Sequence, residues 1–199
     1  MELRRETVEK LWQYHRLLIE SNSDGDLTRL RSFPTIVERH YADSILPSAY
    51  VSRWPSPMID IGTGAGFPGI PLKIVHPEMD LTLCEPRPQR IAFLQKVIDR
   101  LELQGVEVFG HKVTSQSMRR PIRGAMSRAF ELFPKTLLRL ENSMEIRGRA
   151  YFFKGPAAVE ELKEWKRSPM KGWEVVEEHW FTIPNSTQER SLIVVERVG

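Results

Sequence analysis

The sequence predicts an α/β fold: a doubly wound, mainly parallel sheet of seven strands with a short N-terminal helical extension. Three observations predict it. Beyond Pro57, short apolar runs alternate with stretches of helical periodicity, the pattern of βαβ units. The first of those runs leads straight into a glycine-rich segment and then into a helix. The last two runs have no helix between them, which implies one antiparallel pairing at the end of the sheet.

Taken in order, residues 1–21 read as an amphipathic helix, with Leu3, Val8, Leu11, Leu17, Leu18 and Ile19 at roughly helical spacing. Residues 21–26 form a loop by composition. A second helix is expected from Pro34 to Leu46, with Ser32 as its cap and Pro47 as its stop. The first strand is Met58–Ile61, followed after the glycines by a short helix near Ile70–Val75. Leu81–Cys84 is the next strand, and Gln89–Leu101 a helix with apolar Ile91, Phe93, Leu94, Val97, Ile98 and Leu101. Val106–Phe109 and a run near Gly124–Ser127 are the third and fourth strands, and Phe133–Leu140 is a helix. Ala150–Phe153 is the fifth strand, followed by a helix from Ala157 to about Lys166. Trp173–Phe181 and Leu192–Val198 close the sheet, so that six strands run one way and one is reversed. The division is residues 1–54 for the extension and 55–199 for the sheet domain.

Composition narrows the class. The chain has 199 residues, 28% of them charged and 41% hydrophobic, as in an ordinary globular protein. No run of about 18 apolar residues exists, and charges of both signs in the first ten residues argue against a signal peptide. The single cysteine, Cys84, excludes a disulfide framework and a cysteine-based zinc site, so no metal is expected and the cytoplasm is the default location. A net charge of +3 is too small to establish a nucleic-acid partner. Seven basic residues between Lys112 and Arg139, against the one acid Glu131, make a local segment able to hold phosphates. The competing reading of that segment is a solvated surface.

The most informative stretch is Met58-Ile-Asp-Ile-Gly-Thr-Gly-Ala-Gly-Phe-Pro-Gly-Ile-Pro-Leu72. Glycine is required where the backbone takes positive φ or must approach a ligand closely, and a following helix start offers free N–H groups. Two registers compete. Gly62-x-Gly64-x-Gly66 begins directly after the strand, as in S-adenosyl-L-methionine (SAM) enzymes; Gly64-x-Gly66-x-x-Gly69 fits the dinucleotide fingerprint. The apolar run ends at Ile61, and Pro68 and Pro71 suit a pyrophosphate-binding helix poorly, which favours SAM. Glu85, ending the second strand 19 residues after Gly66, is placed to accept both hydroxyls of a ribose. Asp60 could orient the loop or the ligand's amino group, or be structural.

These segments resemble the glucose-inhibited division protein B family, the small-subunit rRNA guanine-N7 methyltransferases. Asp26-Leu-Thr-Arg29 and Arg39-His-Tyr-Ala-Asp-Ser44 are similar to its Asn-Leu-Thr and Arg-His-x-x-Asp-Ser segments. Residues 60–72 match its glycine loop almost letter for letter, and Ser127-Arg-Ala-Phe130, Lys154-Gly155 and Glu189-Arg190 match further stretches. The resemblance implies a Rossmann-like class I SAM-dependent methyltransferase acting on N7 of one guanine in the decoding-region loop of 16S rRNA. It implies SAM as cofactor, S-adenosyl-L-homocysteine as product, and 16S rRNA or the small ribosomal subunit as partner. By position, Gly62, Gly64, Gly66 and Phe67 would line the methionine and ribose side of SAM, Glu85 the ribose, and Val113 and Thr114 the adenine. Arg128 would face cofactor and target base. Thr114 stands where the family usually has an acid and Asp26 where it has Asn, and the helical region is shorter than usual.

Guanine N7 carries an available lone pair, so its methylation needs positioning rather than a general base. Arg128 would then serve by donating to guanine O6 or a phosphate, with a structural ion pair as the competing reading. Lys154, at the end of the fifth strand, would neutralise a phosphate near the target, with a plain surface lysine as its competing reading. Arg119, Arg120 and Arg123, flanking Pro121, form either a loop reaching for backbone phosphates or a solvated loop, and Arg190 is counted with them among the RNA contacts. His40, Asp43 and Ser44 cannot make a catalytic relay on one helical turn and read as a polar packing face. Trp12, Tyr14, Trp54 and Trp165 read as core or staple residues. The alternatives are a small-molecule SAM methyltransferase and a non-catalytic nucleotide-binding partner protein, and the protein is expected to act as a monomer without a membrane.

Overall fold

In a computed structural model, which describes residues 2–23, 26–118, 120–184 and 186–199, the chain folds as a single seven-stranded sheet with helices on both faces. The front of the chain supplies α1 (Arg5–Ser21) and a compound helical stretch: α2 (Phe33–Ile36), a π-helical turn (Val37–Ala42), α3 (Asp43–Ile45) and a 3₁₀ turn (Leu46–Ala49). Ser32 caps α2 by accepting from the Thr35 N–H, as its place before Pro34 predicts. The sheet domain follows as β1 (Met58–Ile61), α4 (Gly69–Val75), β2 (Leu81–Cys84), α5 (Pro88–Arg100), β3 (Val106–Phe109), β4 (Ile122–Arg128), α6 (Phe133–Leu140), β5 (Met144–Lys154), α7 (Ala158–Arg167), β6 (Trp173–Thr182) and β7 (Glu189–Arg197).

The strand order is β3-β2-β1-β4-β5-β7-β6. Neighbours from β3 to β5 are parallel, and β7 is antiparallel to both β5 and β6, so one strand is reversed as the terminal pair of runs predicts. The chain moves outward from β1 through β2 to β3, then returns to lay β4 on the other side of β1. That reversal opens a crevice at the carboxyl ends of β1 and β4, where ligands bind in open α/β sheets.

Alternation along the strands builds two cores. Met58, Leu81, Leu83, Met126, Tyr151 and Phe153 pack under α4 and α5. Ile59, Ile61, Cys84, Ala125, Phe152 and Val195 pack under α6 and α7. Residues 1–54 do not form a separate core: Tyr14, Leu18, Ile36, Tyr41, Val51 and Trp54 belong to the first one. On α1 the buried stripe is Tyr14, His15 and Leu18, whereas Val8, Trp12 and Ile19 are about half exposed on a neighbouring stripe. Trp12 is therefore not the core residue its type predicts; Tyr14, Trp54 and Trp165 are. β5 is longer than its apolar half, because Glu145, Arg147 and Arg149 occupy its polar beginning. Among the described residues no helix is long and apolar enough to cross a membrane.

Candidate active site

The floor of the crevice is the loop after β1. Gly62, Gly64 and Gly66 take φ of 71°, 62° and 104°, the left-handed region that favours glycine. A β-carbon on Gly62 would also run into the ring of Phe130, which covers it from the end of β4. Backbone hydrogen bonds pin the loop: the N–H groups of Gly62 and Thr63 both donate to the Cys84 carbonyl, at 3.0 and 3.2 Å. Asp60 is completely buried beneath it. Its Oδ2 accepts from Thr63 Oγ1 at 2.6 Å and from the Gly69 N–H at 2.9 Å, tying loop and α4 together. Its Oδ1 is buried with no partner among the described residues. Burial pushes its pKa up to about 6, against the pull of the two hydrogen bonds and Arg128. From α1, the Tyr14 hydroxyl donates to the Ala65 carbonyl at 2.5 Å, so the extension is seated on the loop itself.

One wall is the end of β2. Glu85 is buried, accepts from the Arg87 N–H at 3.0 Å, and has Arg90 Nη1 3.6 Å from its other oxygen. Arg90 in turn donates to the Asp26 carbonyl at 2.7 Å and lies 3.4 Å from the Asp26 carboxylate. Sequence reasoning missed Arg90. Its signal was its place in the first turns of the helix after Glu85, but its partner Asp26 lies 64 residues away.

The other wall joins β4 to the extension. Arg128 donates from Nη1 to the Arg39 carbonyl at 2.7 Å and to Asp43 at 3.1 Å, and from Nη2 to His40 Nδ1 at 3.1 Å. A guanidinium only donates, so His40 Nδ1 accepts, and the proton on Nε2 is given to Thr28 Oγ1 at 2.8 Å. Burial, aided by the Arg128 charge, lowers the His40 pKa to about 3, which keeps the ring neutral near pH 7. The ring stacks on Phe67 with centroids 4.4 Å apart, and Arg128 stands 5.3 Å from the Phe67 centroid. The wider π-helical turn brings His40 and Asp43 to one guanidinium. Against the second wall and over the glycine loop lies a cleft of about 450 Å³, lined by Leu27–Leu30, Arg39, His40, Gly62–Ala65 and Arg128.

The structure thus gathers Asp60, Gly62, Gly64, Gly66, Phe67, Glu85 and Arg128 around one crevice. Val113 is buried along the same edge, beyond β3, with its carbonyl held by Arg139 at 2.9 Å; the Thr114 side chain is exposed and bonded to Ser117. Four basic residues stand differently from expectation. Arg123 opens β4 and pairs with Glu145 at 3.1 Å, and Arg120 pairs with Asp80 at 3.2 Å just ahead of β2. Both sit at the amino-terminal edge of the sheet, opposite the glycine loop. Lys154 is at the expected edge, but its ammonium is neutralised by Glu161 at 3.0 Å and bonded to the Glu131 carbonyl. Arg190 is spent on Asp43 at 3.1 Å, making Asp43 a bridge between two arginines. Arg128 itself is in the ion pair that was the competing reading of it. Arg119 lies outside the described residues. His40, Asp43 and Ser44 form the packing face expected of them, with Ser44 Oγ donating to the His40 carbonyl at 2.6 Å.

Comparison with known proteins places this geometry. The family model described as rRNA small subunit methyltransferase G matches residues 7–191. A protein of Syntrophobacter fumaroxidans named ribosomal RNA small subunit methyltransferase G 2 is 40% identical over 192 residues, covering 96% of this chain and 38% of that protein. One from Carboxydothermus hydrogenoformans, named ribosomal RNA small subunit methyltransferase G, is 31% identical over 209 residues, covering 100% of this chain and 86% of its own. The chain therefore spans well under half of the first relative and most of the second. Among solved structures, an rRNA methylase from Streptococcus thermophilus superimposes with a TM-score of 0.51 at 15% identity, over 71% of this chain and 86% of that one, which establishes likeness of fold.

Proposed function

The chain belongs to the rRNA small subunit methyltransferase G family, and from that premise we propose that it methylates N7 of a guanine in the decoding-region loop of 16S rRNA, with SAM as the methyl donor. The observation that carries the reading is the glycine loop at the β1/β4 reversal: its three positive-φ glycines stand over buried Asp60 and next to buried Glu85, and Gly62 and Gly64 line a cleft of about 450 Å³.

The residues present fit SAM. About 450 Å³ lies within the roughly 300–1,000 Å³ of small-molecule sites. The Glu85 carboxylate at the end of β2 would hold the ribose hydroxyls, and Asp60 Oδ1, buried without a partner among the described residues, leaves one acceptor for a donor at the loop. Gly62, Gly64 and Gly66 would let the backbone approach, with Phe67 behind them and Val113 and Thr114 bordering the adenine. When bound, the cofactor supplies an activated methyl group on a sulfonium sulfur.

The chain's own residues have a narrow task. Guanine N7 already carries its lone pair, and no side chain needs to remove a proton; neutral His40 is not required as a base. Arg128, clamped to Arg39, Asp43 and His40, fixes the wall against which the base would rest, and positioning of this kind contributes about 7–11 kcal/mol to a two-reactant step. Methyl-labelled SAM incubated with unmodified small ribosomal subunits and with naked 16S rRNA, followed by mapping of the product, tests the reading. Label at a single N7-methylguanine is the expected result; SAM binding without transfer to either RNA refutes it.

A further inference from the structure

Among the described basic residues between Lys112 and Arg139, and at Lys154 and Arg190, most are paired within the fold or stand on the far edge of the sheet. Lys112 and Lys135 are exposed with no acidic partner within 4.0 Å among the described residues, but neither lines the cleft. Arg128 and Arg190 share Asp43, Lys154 is held by Glu161, and Arg139 by Glu131. Arg120 and Arg123 are on the opposite edge. Two arginines outside that segment behave otherwise. Arg29 and Arg39 are exposed, both line the cleft, and among the described residues neither has an acidic partner within 4.0 Å.

Their backbones are anchored although their heads are not. Thr28, just before Arg29, gives its N–H to Asn22 Oδ1 at 3.1 Å, takes the Asn22 amide on its carbonyl at 2.8 Å, and bonds His40 through its hydroxyl. The Arg39 carbonyl is fixed by Arg128 at 2.7 Å. Two solvated guanidinium groups are thereby carried on rigid supports at the rim of the cleft. Such groups meet a phosphate without first breaking an ion pair, and Arg suits phosphate through its planar fork.

We infer that Arg29 and Arg39 form the lip on which the RNA backbone docks, so that RNA approaches over the N-terminal extension rather than over the 112–139 segment. The inference rests on the RNA reading above and adds the surface and the residues. Two phosphate contacts on single-stranded RNA correspond to a change of about 1.4 in the slope of log affinity against log salt, and to about tenfold in affinity near 0.15 M salt.

The test measures KM for small ribosomal subunits or 16S rRNA, whichever the parent methylates, across a salt series for R29A/R39A, R29K/R39K and R120A/R123A. The expected result is a KM about tenfold higher for R29A/R39A at about 0.15 M salt, with a slope shallower by about 1.4. Because both residues line the cleft, KM is read at saturating SAM for every variant, and the unfolding midpoint of R29A/R39A should match the parent's. R29K/R39K should recover the parent slope, because the slope counts charges, and R120A/R123A should keep it. A parent slope in R29A/R39A, or its loss in R120A/R123A instead, overturns the lip while leaving the methyltransferase reading intact. A parent chain that binds and methylates no RNA overturns both.

Discussion

Asp60 has its pKa pushed up from 3.8 to about 6 by burial, whereas burial and the Arg128 charge push His40 down from 6.5 to about 3. The two act on stability with opposite signs. The folded state binds a proton at Asp60 more tightly than the unfolded chain does. Its contribution is present in full below pH 3.8 and is lost as pH rises through about 6, a swing of at most about 3 kcal/mol. Folded His40 resists protonation, so its contribution is present above pH 6.5 and is lost as pH falls toward 3, at most about 5 kcal/mol. Between about pH 4 and 6 the slopes oppose each other. Urea unfolding across that window should therefore show stability rising more steeply with pH in D60N than in the parent, and less steeply in H40Q. Parallel curves for the three proteins would contradict this assignment of the two protonation states. Arg128 makes a second case at this scale. It serves three acceptors from one planar fork, and a lysine ammonium cannot reach all three, so R128K should lose about 3 kcal/mol, much as a broken buried pair does. Urea midpoints within experimental error of the parent would show that charge alone suffices.

At the scale of elements, the glycine loop is held between α1 and α4 rather than by β1 alone. The Tyr14 hydroxyl is the contact from α1, and Y14F leaves the Ala65 carbonyl buried without its donor, a loss of about 1–2 kcal/mol. Because Ala65 lies between Gly64 and Gly66, the same variant should weaken SAM binding, read by calorimetry; unaltered affinity would mean the loop keeps its shape without α1. On the α4 side, a β-carbon on Gly69 would come within 2.7 Å of Asp60 Oδ2 and 2.8 Å of Leu83, so G69A should destabilise by about 1–3 kcal/mol, measured as a lower urea midpoint. These elements were legible in the sequence where chemistry is local. A strand, three glycines and a helix start are contiguous, and Glu85 announces itself by ending an apolar run. Position across the sheet is not local in that way. Arg123 and Arg128 are five residues apart and belong to one basic segment, yet a strand rises about 3.3 Å per residue, so they emerge about 17 Å apart on opposite edges. The Arg90–Asp26 contact spans 64 residues, and the polar start of β5 carries no apolar alternation, so neither left a periodic signal.

For the whole molecule, the extension and the sheet domain share both a core and a cleft. Tyr14, Leu18, Ile36 and Tyr41 pack with Phe67, Phe93 and Leu83, and the cleft takes Leu27–Leu30 and Arg39 from one part and the glycine loop and Arg128 from the other. A protein built this way should unfold in one transition, with tryptophan fluorescence and circular dichroism coincident, although the sequence divides at residue 54. SAM binding only the folded form should raise that transition as a unit. At about a hundredfold excess over the dissociation constant the gain is about 2.7 kcal/mol, or about 5–10 °C for a chain of this size. A fragment of residues 55–199 separates this picture from one of an appended extension. Cutting there strips α1 from Phe67 and Phe93 and removes the Asp26 partner of Arg90, exposing core and leaving Glu85 beside an unanchored cation. The fragment should melt without a cooperative transition and gain nothing from SAM. Cooperative unfolding of the fragment with parent-like SAM affinity would instead make the extension an attachment whose work is confined to the substrate side of the cleft.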